Sequence, residues 1–410
     1  MHNSYSNRGG RRPYSGGGGG RRYSRGSGGH RFGGVQRSRG PADERINESR
    51  FINKVVITEE AERFTPEHTF QDFDIHPRLK AEIAAKGYVL PTPIQDKAIP
   101  HVLQGADVVG TANTGTGKTA AFLIPLIHKA VTDRSQKTLI VVPTRELAIQ
   151  IEQELRSLTS GAGIYSVTCV GGAAIGPQLA KLRMENDFII GTPGRLKDLI
   201  ERKRINLAMF KNIVLDEADR MLDMGFVNDM RFLMAGMPKE RQTLFFSATI
   251  SPVIEKLISE FLKAPVRISV KTRDTSQNVE QDVVKVGKDA NKLDVLHELL
   301  TQKEFSKVLI FGRTKHGVER LSKTLTQKGI HAESIHGNKT HSKRQQALSA
   351  FKASRIQVLV ATDVAARGLD IPDVSHVINF ELPATYNDYV HRIGRTGRGE
   401  KKGKALTFLQ

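Results

Sequence analysis

With 410 residues the chain is too long for one ordinary core, so two domains plus extensions are expected. Its net charge of +19 is uneven: residues 1–40 hold nine arginines, no lysine and no acid, which leaves +10 for the remainder. That imbalance favours a polyanionic partner, either nucleic acid or an anionic membrane surface. No apolar run reaches the roughly 18 residues of a membrane span, no signal peptide opens the chain, and no basic amphipathic helix accompanies the charge. Nucleic acid is the better reading. A single cysteine, Cys169 in an apolar run, excludes a disulfide framework and reads as a buried structural thiol in a reducing, cytoplasmic setting.

Residues 1–45 are rich in Gly, Ser and Arg, with Tyr5, Tyr14, Tyr23 and Phe32 spaced among them. Such a stretch buries too little apolar area to offset its ordering entropy, so disorder is expected. It reads as a solubilising tail or as a sequence-tolerant RNA-binding arm. Arginine throughout favours the arm, because guanidinium both forks onto phosphate and stacks on bases. Residues 46–67 form a charged connector. Its short apolar patch, Phe51-Ile52 with Val55-Val56-Ile57, reads as linker, with docking on the first domain as the alternative.

From residue 68 the pattern changes to short β-branched runs alternating with helical segments. Candidate strands are 106–110, 138–142, 166–170, 187–190, 212–215 and 242–246, with helices such as 120–129 and 146–159 between them. A polar stretch around 271–280 reads as a linker, after which strands recur at 307–311, 331–335, 357–361, 376–380 and 404–408. Buried parallel strands alternating with helices indicate two open, doubly wound α/β units.

Two motifs carry chemistry. Ala112-Asn113-Thr114-Gly115-Thr116-Gly117-Lys118-Thr119 follows a strand and opens a helix, the context of a phosphate-binding loop. Glycines let consecutive N–H groups cradle a β-phosphate at a helix N-terminus. Lys118 would neutralise β/γ charge and the Thr119 hydroxyl would ligate Mg²⁺. Ala112 stands where the general motif has Gly. Further on, Asp216-Glu217-Ala218-Asp219 ends an apolar strand, where ligands of open α/β sheets collect. One carboxylate there can hold Mg²⁺ and a second can orient the attacking water.

With these residues in view, the chain resembles the DEAD-box RNA helicase family from about Phe70 to its end. Asp216-Glu217-Ala218-Asp219 is that family's name-giving tetrapeptide. Gly87-Tyr88-Val89-Leu90-Pro91-Thr92-Pro93-Ile94-Gln95 looks like its adenine-reading segment, with Phe70 as the upstream aromatic. An amide such as Gln95 offers a donor and an acceptor to an adenine edge, and Tyr88 or Phe70 can stack on the base. The resemblance implies RNA-backbone contacts from Pro143, Arg145, Gly172, Thr192, Arg195, Gly337, Arg344 and Thr362. It implies coupling of ATP use to strand separation through Asp219, Ser247, Thr249 and His391. Asp370 would meet the ATP ribose, and Thr114, Gly115, Thr116 and Gly117 the phosphates. Arg395 and Arg398 share a helix face and would reach the γ-phosphate from the second unit, Arg398 as the arginine finger.

The fold so implied is two tandem RecA-like parallel-sheet domains. The first spans 68–270 and binds ATP; a linker at 271–280 leads to the second at 281–410. The implied activity is RNA-stimulated ATP hydrolysis coupled to lobe closure and local, non-processive unwinding of RNA duplexes and ribonucleoprotein particles by a monomer. Ribosomal or RNA-degradation particles are the settings it suggests. Three departures from the family pattern stand out. Asn113 and Thr116 replace Gln and Ser; His341 replaces Gln near Arg344, weakening one RNA contact; and the sequence stops at Gln410, where a closing helix usually follows. An ATP-gated RNA clamp or annealing chaperone is the rival reading, and a DNA helicase a third. Deleting residues 1–45 separates the first two. If unwinding survives and only RNA affinity falls, the tail is an accessory to an unwinding enzyme; loss of all RNA remodelling makes the tail the working part.

Overall fold

The computed structural model describes residues 51–52, 64–112, 115–270, 279–287, 290–366, 371–397 and 403–409. The tail at 1–45, most of the connector, the linker segment 271–278, Thr114, Asp370 and Arg398 lie outside the described residues. Two parallel sheets dominate what is described, and both belong to one unit, Ile46–Gln410.

The first sheet contains β1 (Val108–Thr111), β2 (Lys137–Val141), β3 (Ser166–Cys169), β4 (Phe188–Gly191), β5 (Phe210–Leu215), β6 (Gln242–Ser247) and β7 (Val266–Ser269). Their order is β3-β4-β2-β5-β6-β1-β7, every pair parallel. The second contains β8 (Val279–Lys285), β9 (Val308–Gly312), β10 (Ala332–Ile335), β11 (Val358–Thr362), β12 (His376–Asn379) and β13 (Gly403–Leu409), ordered β10-β11-β9-β12-β13-β8 and again parallel.

Central strands read as unbroken apolar runs because helices cover both faces. Along β2 the side chains alternate: Ile140 joins Phe122 and Leu155 on one face, whereas Leu139 and Val141 join Leu196 and Met230 on the other. The first face is covered by helices Lys118–Thr132 and Arg145–Leu158, the second by Pro193–Glu201, Val227–Gly236 and Pro252–Phe261. The second sheet is sandwiched likewise, by His341–Lys352 and Tyr386–Ile393 on one side and Lys292–Thr301 with Lys315–Gln327 on the other. Cys169 is fully buried, and burial pushes its thiol up to about 12, as a structural thiol requires.

Two strands and one anchor depart from expectation. The outer strands β7 and β8 are half-exposed, β7 alternating apolar with polar residues and β8 holding three polar residues between its valines, so a search for continuous β-branched runs passes over them. Since β8 starts at Val279, Val279 and Glu280 are sheet rather than linker. The connector does dock, but on the second sheet: Phe51 is 1% exposed, packed with Val279 and Phe311, its ring 4.8 Å from that of Tyr389. Phe51 thus belongs to the second sheet's core rather than the first's.

His376, at the start of β12, stacks on Phe305 with ring centroids 4.0 Å apart. Burial pushes its imidazole down to about 4, so the unfolded chain takes up this proton well before the folded one. Stability contributed above about pH 6.5 is therefore lost progressively toward pH 4. Urea midpoints measured across that range should fall, and His376→Asn should flatten the slope.

Candidate active site and RNA-binding face

Parallel strands bring all their C-terminal ends to one edge of the sheet, and the strand order divides that edge in two. Adjacent β5, β6 and β1 carry the acidic segment, Ser247 and the phosphate loop. Adjacent β3, β4 and β2 carry Gly171-Gly172, Thr192 and Pro143 to Arg145.

On the first half, Gly115 and Gly117 adopt φ of +87° and +90°, and Gly117 caps helix Lys118–Thr132 without any side-chain bond. A Cβ on Gly117 would sit 2.5 Å from Gln95 Nε2, so only glycine fits. Gln95 is a strut here. Its Nε2 donates to the Gly117 carbonyl at 3.1 Å and its Oε1 accepts from Thr92 N at 2.9 Å, leaving one donor and one lone pair for a ligand. Lys118 is 7% exposed and donates to the Ala112 carbonyl at 2.9 Å. A cavity of about 470 Å³ is lined by Tyr88, Gly117, Lys118, Thr119, Asp216 and Glu217, with Lys352 reaching it from the second sheet's side. Tyr88 thus faces the cavity, held by its hydroxyl on Glu154 Oε1 at 2.6 Å. Phe70 lies behind it, 3% exposed and 6.1 Å ring to ring.

Two carboxylates, Asp216 and Glu217, line the cavity, and Asp219 is near Asp216. Burial, offset only in part by Lys118 and worsened by Glu217, pushes Asp216 up to about 6. Burial also opposes the Glu217 charge, but Arg220, Lys118 and Arg395 together outweigh it and hold that carboxyl below its usual range. Asp219 Oδ2 accepts from both the backbone N and the hydroxyl of Thr249, each at 3.0 Å, and Ser247 Oγ donates to the Thr249 carbonyl at 2.7 Å. This ties the ends of β5 and β6 together. The Asp216 carboxylate and the Thr119 hydroxyl both line this cavity and are hard oxygen donors of the kind a divalent cation takes.

On the second half the arginines converge. A Cβ on Gly172, at φ +67°, would overlap the Arg145 guanidinium at 2.0 Å, so Arg145 lies flat against that turn. Arg195 donates to the Ala173 carbonyl at 3.3 Å, and the Thr192 hydroxyl accepts from Gly171 N at 3.3 Å. Arg344, from the second lobe, pairs with buried Glu146 at 2.8 Å. Burial lowers the Arg145 pKa, with Arg344 and Arg195 adding to the effect against Glu146. Three arginines against two carboxylates, Glu146 and the Asp198 that lies 3.8 Å from Arg195 Nε, leave a net positive face suited to a phosphate backbone. His341 sits at the same seam: burial, Arg145 and Arg344 hold its imidazole below the usual range while Glu146 works the other way.

Second-lobe residues complete the picture. Thr362 ends β11, and Gly337 follows β10 in a loop braced by Glu319. That carboxylate accepts from Ser334 Oγ at 2.5 Å and from His336 Nε2 at 3.1 Å, and these bonds with Lys339 take it down to about 2. Helix Tyr386–Ile393 carries His391, whose carbonyl accepts from Arg395 Nε at 3.2 Å.

Residues 92–257 match the DEAD/DEAH box helicase family and residues 291–400 the helicase conserved C-terminal domain. The chain belongs to the DEAD-box family of helicases. ATP-dependent RNA helicase CshA of Listeria monocytogenes is 44% identical over 344 residues, 83% of this chain and 66% of that protein. The chain thus spans just under two thirds of that relative's length. Among solved structures, S. cerevisiae Dbp5 bound to RNA and ADP BeF3 is 31% identical with a TM-score of 0.75, over 83% of this chain and 89% of that one. Mss116 bound to ssRNA and UDP-BeF is 30% identical with a TM-score of 0.76, over 84% and 76%. Both sheets are RecA-like in this company.

Knowing the family makes the residues that sequence motifs passed over more informative. Arg392, 1% exposed, clasps Asp363 through Nε at 2.5 Å and Nη2 at 2.8 Å, and donates to Asn379 Oδ1 and the Glu381 carbonyl. It stands between His391 and Arg395, yet nothing in a string of arginines says which one is buried. Glu319 and Arg220 have no motif at all; only their partners reveal them. Removing one member of a buried ion pair costs about 3–5 kcal/mol. Arg392→Ala should therefore lower the denaturant midpoint of this DEAD-box protein sharply, and Arg392→Lys, which keeps the charge but loses the fork, should recover only part of it.

Proposed function

We propose that the chain is an RNA-stimulated ATPase that uses closure of its two lobes to unpair short stretches of RNA duplex, without long translocation. One observation carries the reading: the phosphate loop with Lys118, the Asp216-Glu217 pair and the second lobe's Lys352 line one cavity, so a triphosphate held there would meet cations of both lobes. The relatives, an ATP-dependent RNA helicase and two RNA-bound proteins, support it.

In this reading the phosphate loop from Thr114 to Thr119 holds the triphosphate, Lys118 countering its β/γ charge. Tyr88 and Gln95 take the base, with Phe70 behind, and Asp370 the ribose. Thr119 and Asp216 would hold Mg²⁺, which when bound shields the phosphate charge. Glu217 orients water so that its oxygen bonds to the γ-phosphorus as the bridge to ADP breaks and the proton leaves toward the carboxylate. Arg395 and Arg398 counter the charge on the transferring group. Pro143, Arg145, Gly172, Thr192, Arg195, Gly337, Arg344 and Thr362 grip phosphates and sugars, so sequence specificity is low. Asp219, Ser247, Thr249 and His391 transmit between the two activities. A cytoplasmic monomer acting on ribosomal or degradation particles fits this chemistry.

The test is steady-state ATPase with and without RNA. Lys118→Ala should weaken nucleotide binding. Glu217→Gln should retain nucleotide and lose at least about 100-fold in kcat. Undiminished RNA-stimulated turnover in Glu217→Gln would sink the assignment.

A further inference from the structure

Arg220 immediately follows the acidic tetrapeptide, on the short helix Ala218–Asp223, and is 5% exposed. Its Nη1 donates to Glu217 Oε2 at 3.1 Å. Its Nη2 donates to the backbone carbonyl of Val364, in the second lobe, at 2.7 Å. Val364 lies two residues past Thr362, in the helical turn Asp363–Ala366 whose first residue Arg392 clasps. One guanidinium therefore touches the carboxylate assigned to water and the backbone that leaves the proposed RNA-contacting strand end.

Guanidinium is a planar fork, so fixing one nitrogen's partner fixes the direction of the others. Glu217 needs such a guide. It occupies the left-handed region at φ +52°, caps its helix without a side-chain bond, and lies beside the Asp216 carboxylate. We infer that Arg220 is a positioning residue that ties the orientation of Glu217 to lobe closure. With the lobes together, the Val364 carbonyl sets the guanidinium plane, and the plane holds the carboxylate toward the cavity. With the lobes apart, that anchor is withdrawn and Glu217 loses its alignment, so hydrolysis waits for the closed state. Neutralising a buried carboxylate would need only the charge of Arg220. The bond to the other lobe is what a purely local ion pair would not require.

The inference rests on the RNA-stimulated ATPase reading, and the experiment separates the two. Arg220→Lys keeps the charge but loses the fork; Arg220→Gln loses both and serves as the second variant. ATPase is measured with and without RNA, alongside binding of a non-hydrolysable ATP analogue, thermal melting, and lobe distance by fluorescence transfer between labels on the two lobes. The expected result is a 10- to 100-fold lower RNA-stimulated kcat in Arg220→Lys, about the worth of one charge-assisted hydrogen bond. KM for ATP, analogue affinity, melting and the closed-state distance should stay near wild type, and Arg220→Gln should be as impaired or worse. Wild-type kcat in Arg220→Lys overturns the inference. So does a loss of nucleotide affinity and melting temperature in step with kcat, which marks a structural role. Wild-type enzyme that RNA fails to stimulate overturns the underlying reading as well.

Discussion

Three carboxylates leave the end of one buried strand within four residues, and keeping them charged there is the constraint around which the molecule is built. Each has a different solution. Asp216 faces Lys118 and retains a deficit of positive charge that suits a divalent ion. Glu217 takes Arg220 and senses Arg395. Asp219 avoids a cation altogether, accepting two bonds from Thr249 and a third from Arg220 N. Moving a carboxylate into a low-dielectric interior without such partners would simply protonate it. The second lobe is thus part of the electrostatic solution for the first.

Strand order does the sorting. Because every strand in the first sheet is parallel, loops that could have been scattered share one rim, and the order β3-β4-β2-β5-β6-β1 gathers phosphate chemistry at one end and arginines at the other. Asp219 with Thr249 bridges β5 to β6, within the chemical half, while Arg344 on Glu146 and Arg220 on Val364 cross between lobes beyond the ends of the adjacent central strands β2 and β5. Both interlobe contacts begin at residues next to a motif rather than inside its best-known positions.

Much of this was legible in the sequence, and for a physical reason. A phosphate loop and an acidic strand end are local: glycines, a lysine and carboxylates work by backbone geometry within a few residues. Central strands announce themselves because both faces are buried. Contacts between distant segments leave no such trace. Arg392 looks like its neighbours, Glu319 sits on an ordinary helix, and β8 carries the polar run Glu280-Gln281-Asp282 among its valines. Phe51 was readable as an apolar residue that wanted a partner, but the sequence could not say which domain held the recess. Gln95 and Phe70 show the converse, since a motif identifies the type of residue while packing decides which face it turns to a ligand.

Phe51 also bears on how the chain can be cut and how it assembles. Its neighbours Val279, Phe311 and Tyr389 lie more than 200 residues downstream, across the whole first lobe. The second core is therefore discontinuous, and contact of such long sequence separation forms late in folding. During synthesis the phenylalanine emerges among the first segments and its recess among the last. A fragment begun at Val279 would carry a vacancy the size of a benzyl group, a defect of about 3–5 kcal/mol by the usual cost of deleting a buried phenylalanine. An expression boundary drawn at the linker would divide the chain between its sheets, but not between its cores.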